Sequence, residues 1–385
     1  MCATAITTPS LQTILSRFID DYQQRYSVNA PQMKVIRHLS HCRTPALGGQ
    51  SVQCDHCDFT QHRYHSCRNR HCPKCQHTAT QQWCERQRNH TLPVTYYHVV
   101  FTLPDHLNSW IQYHAAVIYR CLFAAVWHTI KTFGADKQRL HGEMGMSAVL
   151  HTWGQTLIRH VHLHCLIPGG ALTAQGQWRP AKSTYLFPVR ALSRHFRGDM
   201  VSALRRAHTN GELPLLDDAR VSADLNQLMQ KDWVVYSKAY IKQADSVVRY
   251  LGRYTHKIAL SESRLREVND EQVVFGYKDY RDGKTKPMCL SGVEFLRRFL
   301  LHVLPPGFMR VRHYGFLANR VRENKLSRIR DCLVQTRSND MKREESAAEP
   351  RGSTPITRKP CPCPKCHNGQ LRVRYEIAPQ PLHGR

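Results

Sequence analysis

The sequence predicts an α+β fold, in which helices flank an antiparallel sheet and a small zinc-binding module precedes it. A cysteine-rich segment lies before residue 95, and short β-branched and aromatic runs alternate with helical patterns after it. Hairpin-type turns such as RDGK (281–284) favour antiparallel pairing. A chain of 385 residues suits two or three domains, which we place at 1–95, 96–315 and 316–385.

Individual elements follow from the spacing of apolar residues. Residues 10–24 carry them at helical spacing, with Ser10 as the N-cap. Residues 115–127 are apolar but contain Arg120, which predicts a buried helix. Residues 335–360 have few large apolar side chains and are predicted to be a flexible linker. The predicted strands are YYHVVFTL (96–103), MSAVLHTWG (146–154), HVHLHCLI (160–167), WVVYSK (233–238) and QVVFGYKD (272–279).

The charge balance predicts a polyanionic partner. Lys plus Arg is 55 and Asp plus Glu is 29, which gives a formal net charge of +26. Nucleic acid is the first expectation, since no strongly basic amphipathic helix favours a membrane surface. The sequence has no transmembrane run and no signal-peptide pattern at its N-terminus, so we expect a cytoplasmic protein with reduced thiols. It also lacks the phosphate-loop and GxGxxG patterns of ATP or dinucleotide binding.

Two CxxC pairs, fourteen residues apart, predict a structural zinc site. Four thiolates complete a tetrahedral shell, and the ion would stabilise a segment too small to fold alone. The predicted ligands are Cys54, Cys57, Cys72 and Cys75. The loop between the pairs is basic, which favours contact with DNA phosphates. It also holds residues that could replace a cysteine or contribute to a second site, namely His62, His65, Cys67 and His71.

A second cysteine cluster lies near the C-terminus. Cys361, Cys363 and Cys366, with His367, are a second possible zinc site. This cluster could be a compact Cys3His site, could take ligands from another chain, or could be a remnant.

A strand with alternating histidines predicts a catalytic metal site. His160, His162 and His164 would share one face of the strand, with apolar side chains on the other. Two imidazoles at i and i+2 can bind one divalent ion and leave positions open. Imidazole ligands suit Zn²⁺ or Mn²⁺ better than Mg²⁺, which would need oxygen ligands from substrate and water. The alternative is a solvated face in a chain with 24 histidines.

A tyrosine pair follows in a segment with helical periodicity, residues 241–257. Tyr250 and Tyr254 are four apart and share one helical face with Gln243, among several cations. A phenol has a pKa near 10, so nearby cations and a metal would be needed for it to attack a phosphate. The alternative is an ordinary tyrosine pair at the rim of a core.

Together these motifs, in this order, resemble the HUH-type two-tyrosine transposases of rolling-circle insertion sequences, which carry an N-terminal zinc-binding domain. The core of HVHLHCLIPGG, His162-Leu163-His164, matches the histidine motif, and YLGRY matches the YxxxY motif. VVFTLP (99–104) is similar to the family's first palm strand, and GFMRVRHYGFLANR (307–320) is similar to its usual end. The resemblance covers roughly residues 35–330.

The resemblance implies a fold and a mechanism. The sheet would be a palm-like (RRM-like) antiparallel sheet of the HUH nuclease type. His162 and His164 would bind Mg²⁺ or Mn²⁺, which polarises a phosphate of single-stranded DNA. Tyr250 or Tyr254 would attack and form a 5′-phosphotyrosine with a free 3′-OH, in rolling-circle DNA transposition. Structural Zn²⁺ would hold the N-terminal module. A third catalytic ligand is usual, and the alternatives are Gln243, His256 and His160.

Other functions share parts of this pattern. A replication initiator or a conjugative relaxase would use the same HUH chemistry. A zinc-dependent DNA-binding regulator would have structural histidines and tyrosines and no catalysis. A barrel hydrolase with an HxHxH metal site would need a regular alternation of strands and helices, which this sequence does not have. The zinc module and the order of the motifs favour the transposase.

Overall fold

The computed structural model describes residues 9–181, 185–240, 252, 259–341 and 361–380. Within these residues the protein is a mixture of helices and antiparallel sheets, as predicted. The helices are α1 (Leu11–Arg25), α2 (Ala30–Ser40), α3 (Pro73–Arg88), α4 (Asn108–Ala135), α5 (Val189–Thr209), α6 (Asp218–Gln230), α7 (Gly292–Leu300) and α8 (Arg322–Met341). The strands are β1 (Gly49–Cys54), β2 (Thr60–Tyr64), β3 (Tyr96–Thr102), β4 (Gly145–Trp153), β5 (Arg159–Pro168), β6 (Gly170–Leu172), β7 (Trp178–Pro180), β8 (Val235–Tyr240), β9 (Leu265–Val268), β10 (Gln272–Lys278), β11 (Thr285–Ser291), β12 (Val311–Gly315) and β13 (Leu371–Ile377).

The five predicted strands and the helices predicted at residues 10–24 and 115–127 are present. The helical segment predicted at 241–257 lies outside the described residues except for Gly252. Helix α1 begins where the sequence predicts, because the Ser10 hydroxyl accepts a hydrogen bond from the Thr13 amide at 3.1 Å. Helix α4 contains the predicted buried helix and is longer than expected. The RDGK turn joins β10 to β11, and Gly283 takes the left-handed conformation, φ +71°, that this turn requires.

The largest sheet has five strands in the order β12-β4-β5-β3-β8. One face of this sheet is apolar and packs on helices α4, α5 and α6. Val99 and Phe101 of β3, and Val161, Leu163 and Cys165 of β5, lie in this core. Because strand side chains alternate, the opposite face carries the intervening polar residues.

A second core joins distant parts of the chain. Helices α1 and α2 pack against α7 and the three-stranded sheet β11-β10-β9. Phe18 of α1 touches Gly292 so closely that an added Cβ would lie 2.2 Å from its ring. The buried Cys42 and Cys72 belong to the same core. Residues 11–40 are thus integrated with residues 259–300, a contact that sequence patterns do not reveal.

The C-terminal region differs from its expected form. Helix α8 continues to Met341, so residues 335–341 of the predicted flexible linker are helical. After residues 342–360, which lie outside the described part, β13 pairs with β1 in the sheet β13-β1-β2. Among the helices of the described residues, none is both long and apolar enough to span a lipid bilayer.

Candidate functional site

The predicted histidine face is present on β5. His162 and His164 point to the polar side of the five-stranded sheet, while Val161, Leu163 and Cys165 are buried on the other side. The two imidazole rings are 4.8 Å apart between centroids. The i, i+2 spacing therefore brings both imidazoles to one place, as the alternation predicts.

A third histidine, which the sequence did not indicate, completes the cluster. His151 of β4 lies opposite His162 in the antiparallel register, and its ring centroid is 4.4 Å from that of His164. Nitrogen atoms of His151, His162 and His164 all lie within 4.8 Å of one another. Three imidazoles from two adjacent strands can bind one divalent ion and leave its remaining positions open.

A hydrogen bond fixes the proton position in His162, and a second hydrogen bond orients the ring of His164. His162 Nδ1 lies 2.9 Å from the His160 carbonyl oxygen, which can only accept, so the proton is on Nδ1 and the lone pair is on Nε2. His164 Nδ1 lies 2.9 Å from His98 Nε2. Burial lowers the pKa of His98 to about 4, so its ring is neutral at pH 7 and can accept the proton of His164. Both strand histidines can then offer Nε2 to a metal ion.

This arrangement makes His98 a determinant of metal affinity. We expect His98→Ala to weaken binding of Mn²⁺ about 10- to 100-fold, because the ring of His164 loses its orienting partner. Titration calorimetry of the purified chain with Mn²⁺ measures the change. His62→Ala, on the exposed strand β2 and outside the metal-ligand clusters of the described residues, is the control and should not alter the affinity. Equal affinities of the His98→Ala chain and the unaltered chain would contradict this role.

Aromatic and basic groups surround the cluster. Trp153 stacks on His151 with 4.7 Å between ring centroids, and the buried Arg310 guanidinium lies 6.0 Å from the Trp153 ring. Tyr236 and Lys238 of β8 are exposed on the histidine face of the sheet, where Lys238 lies opposite His98 in the strand register. Exposed aromatic and cationic side chains beside a candidate metal site suit a nucleic-acid strand, since bases stack and phosphates pair with cations.

His302 packs against Trp153 beside the cluster, with 6.1 Å between ring centroids. It should make the free energy of unfolding sensitive to acid. Its Nε2–H donates to the Leu157 carbonyl at 3.0 Å, and its Nδ1 accepts from the Thr152 hydroxyl at 3.2 Å. The bond from the Thr152 hydroxyl, in which Nδ1 accepts, needs a neutral ring, and burial lowers the pKa of His302 to about 4. The unfolded chain binds this proton near pH 6.5, so stability is lost as pH falls from about 6.5 to about 4, by about 3 kcal/mol for this residue.

Urea unfolding at pH 7 and pH 5 tests this expectation. His302→Gln keeps an N–H donor but cannot titrate, so its free energy of unfolding should fall less between the two pH values than that of the unaltered chain. An identical fall in both chains would show that His302 does not contribute to acid sensitivity.

The other predicted catalytic residues are placed differently. His160 is half exposed, 4.0 Å from Asp105, and outside the three-histidine cluster. The remaining predicted residues lie outside the described part of the chain, and they are Tyr250, Tyr254, Gln243 and His256. His151 is not among the residues predicted from the sequence, because its position beside His162 depends on strand register. The only local signal is a histidine in the predicted strand that directly precedes β5.

Gly252, between the two tyrosines in sequence, is described and is helical and buried. A Cβ on this residue would lie 2.3 Å from Cys84 Sγ of α3. We expect Gly252→Ala to destabilise the protein by about 1–3 kcal/mol, because a methyl group has no room there. Adding Cys84→Ala should restore most of this loss, as thermal unfolding of the single and double variants would show. A Gly252→Ala chain as stable as the unaltered one would contradict the close approach.

The predicted four-cysteine zinc site is wrong in its grouping, because the two CxxC pairs lie in separate clusters. Cys72 and Cys75, at the N-terminus of α3, are joined by Cys42 and Cys67. Cys42 Sγ lies 3.5 Å from Cys72 Sγ and 3.6 Å from Cys75 Sγ. Two thiolates on one tetrahedral zinc ion are about 3.8 Å apart, since each Zn–S bond is about 2.3 Å. The spacing thus suits an ion and is too long for disulfides, at about 2.05 Å.

The other pair meets the C-terminal cysteines. Cys54 and Cys57, at the end of β1, lie with Cys363 and Cys366 in a second four-cysteine cluster. The sequence predicts that the two CxxC pairs bind one ion together. The fold instead brings each pair to a different set of cysteines. Cys67 was one of the loop residues considered for a second site, whereas Cys42 was missed because it is isolated in sequence.

The first cysteine cluster is connected directly to the segment that precedes β12. Arg70, in its loop, donates to the Phe308 carbonyl at 2.5 Å and to the Pro305 carbonyl at 2.9 Å. His71 is half-buried beside Arg70, Arg310 and His302, and desolvation lowers its pKa to about 3. The basic loop predicted to contact DNA therefore uses at least one of its arginines for internal packing.

Two known protein families match parts of this chain. Residues 14–103 match the family described as "Transposase zinc-binding domain", of the IS91 type. Residues 145–325 match the family described as "Putative transposase". The first match contains all of the first cysteine cluster and half of the second, and the second match contains His151, His162 and His164.

Two curated relatives agree with these matches. The chain is 41% identical over 380 residues to "Putative transposase y4qJ" of Sinorhizobium fredii (strain NBRC 101917 / NGR234), covering 96% of this chain and 95% of the relative. It is 28% identical over 317 residues to "Transposase for insertion sequence element IS801" of Pseudomonas savastanoi pv. phaseolicola, covering 78% of this chain and 74% of the relative. No solved structure matches significantly.

Proposed function

Since this chain belongs to the IS91/IS801 family of insertion-sequence transposases, we propose that it nicks and joins single-stranded DNA at the ends of its element through a 5′-phosphotyrosine intermediate. The observation that carries the proposal is the cluster of three imidazoles on the polar face of an antiparallel sheet. In this reading the five-stranded sheet is the palm of an HUH nuclease, and the process is rolling-circle transposition.

The donor set fits a divalent ion. The bond to the His160 carbonyl leaves the lone pair of His162 on Nε2, and His164 and His151 supply two more imidazoles within the same cluster, so we assign the third ligand to His151 rather than to His160. Mg²⁺ or Mn²⁺ bound here would neutralise and polarise the scissile phosphate, and the open positions would take phosphate and water oxygens.

The chain's own residues would position the DNA. A strand lying across the histidine face would meet the exposed Tyr236, on which a base can stack, and the exposed Lys238, which can pair with a phosphate. The stacked Trp153 holds His151 in place, so the ligands are organised before DNA binds.

Tyr250 and Tyr254 are the proposed nucleophiles. Attack by a phenol oxygen on the phosphorus would break the bond to the 3′ oxygen, which leaves as a hydroxyl after taking up a proton. The phosphotyrosine bond retains the energy of the broken phosphodiester, which explains why the sequence has no ATP-binding motif. A second tyrosine allows one to hold a cleaved end while the other acts on another strand.

Strand cleavage tests this function. The purified chain is incubated with labelled single-stranded DNA from each end of its element, with Mn²⁺ or Mg²⁺. We expect a nick at one position of one strand, no nick in EDTA, and no nick with Tyr250→Phe/Tyr254→Phe. A chain that binds the DNA but leaves every strand intact with both metals would instead be a DNA-binding regulator. A replication initiator or relaxase would share the chemistry, but both family matches are to transposases.

A further inference from the structure

The C-terminal segment of the described chain docks on the N-terminal zinc module. Strand β13 pairs with β1 along its whole length, from Gly49 opposite Ile377 to Cys54 opposite Leu371. Strand β1 is therefore central, between β2 and β13. Strands that are more than 300 residues apart in sequence thus meet in one small sheet.

Two CxxC turns face each other at one end of this sheet. Cys54 Sγ lies 3.7 Å from Cys366 Sγ, and Cys57 Sγ lies 3.7 Å from Cys363 Sγ. These separations match the roughly 3.8 Å expected for thiolates on one tetrahedral zinc ion. Backbone amides also point at the sulfur atoms: the N–H of His56 donates to Cys54 Sγ at 3.3 Å, and the N–H of Gly369 donates to Cys366 Sγ at 3.4 Å. Such amides favour the thiolate that binds metal.

The junction is closely fitted. A Cβ on Gly369 would lie 2.4 Å from Cys54 Sγ, so only glycine suits this position. Asp55, between the first two cysteines, accepts from the Gln370 amide at 2.7 Å and from the Arg372 guanidinium at 3.0 Å. These contacts fix the orientation of one CxxC turn relative to the other.

Apolar burial does not explain why the segment stays in place. Within residues 361–380, all of which are described, only Cys363 and Gly369 are buried. Val373 and Tyr375 of β13 are each more than half exposed. An edge strand with so little buried apolar surface gains little stability from pairing alone. A bound ion would supply the missing stability, because metal binding to such a site contributes directly to folding.

We propose that Cys54, Cys57, Cys363 and Cys366 bind a second structural zinc ion, which holds the C-terminal segment on the N-terminal module of the same chain. Four thiolates in a closed shell leave no open position, which is the arrangement of a structural rather than a catalytic ion. Cys57 and Cys363 are 306 residues apart in sequence. The family matches end at residue 325, so neither contains the C-terminal half of this site. This inference goes beyond strand transfer and does not depend on it.

The zinc content of the full chain tests the proposal. All samples carry His162→Ala/His164→Ala and His128→Ala, so that zinc at the histidine cluster, or at the group of His128, His195 and Asp199, does not add to the count. Elemental analysis should give two zinc ions per chain, one for each four-cysteine cluster. Cys363→Ser/Cys366→Ser should lose one ion. The matched control, Cys361→Ser/Cys289→Ser, changes two exposed cysteines outside both clusters and should keep two.

Other stoichiometries would overturn the assignment. One zinc ion in the parent chain, an unchanged count in Cys363→Ser/Cys366→Ser, or iron in place of zinc would each exclude it.

A cleavage experiment tests the holding role even if cysteine variants fold poorly. A site-specific protease sequence is inserted between Gly352 and Ser353 of the full chain, and a tag is added at the C-terminus. After cleavage, the tagged fragment should co-purify with the rest of the chain when zinc is bound and should dissociate when a chelator removes it. Release with zinc fully bound, retention after its removal, or a dimer joined through these cysteines would contradict closure within one chain.

Discussion

Replacing His151 with alanine is expected to lower the rate of metal-dependent strand cleavage about 10³-fold. His151 contributes one of three imidazoles to the cluster, and the metal would supply several kcal/mol of charge stabilisation at the phosphate. The variant should recover partly at high Mn²⁺ concentration if the loss is mainly one of metal affinity. The rate is measured from single-turnover cleavage of end-derived single-stranded DNA at several Mn²⁺ concentrations.

His160→Ala is the matched control for this prediction. His160 is on the same strand face but lies outside the cluster, and its carbonyl, which accepts from His162, is retained in alanine. We expect its cleavage rate to stay within a few-fold of the unaltered chain. If His160→Ala were the severely impaired variant and His151→Ala were not, the third ligand would be His160, and our assignment would be wrong.

Replacing Cys42 with serine is expected to unfold the N-terminal module. Structural zinc sites contribute about 10–16 kcal/mol of apparent binding free energy, which is comparable to the whole stability of a domain. Cys42 is 1% exposed and belongs to the core that joins α1 and α2 to α7, so the damage should extend to that core. Loss of helix signal in circular dichroism and rapid proteolysis before residue 95 would report it.

The control for this variant is Cys332→Ser, a partly buried cysteine of α8 outside both clusters. It should keep the zinc content and the thermal midpoint nearly unchanged. A folded Cys42→Ser chain with its full zinc content would show that Cys42 is not a ligand and that the cluster binds no ion through it.

Features that depend on residues close in sequence were predictable, whereas features that depend on long-range contacts were not. The apolar face of β5 and the Ser10 cap of α1 were predictable, because each depends on residues a few positions apart. The contribution of His151 was not, because it depends on the register between β4 and β5.

The cysteine pairing failed for a similar reason. A CxxC turn identifies two ligands of one ion but does not identify the other two. Here Cys54 and Cys57 meet residues from the far end of the chain, and Cys72 and Cys75 meet an isolated cysteine after α2. The shared core of α1, α2 and α7 is equally invisible in local patterns, since its parts are separated by more than 250 residues.

The most direct test of the central claim is a covalent-adduct assay on single-stranded DNA from the ends of the element. The DNA is labelled at the 3′ end or the 5′ end, incubated with protein and Mn²⁺, and separated under denaturing conditions. We expect a protein band that carries the 3′ label and not the 5′ label, and that disappears with EDTA and with Tyr250→Phe/Tyr254→Phe. An adduct that persists in the double tyrosine variant, or carries only the 5′ label, would contradict tyrosine-mediated nicking with a 5′-phosphotyrosine link.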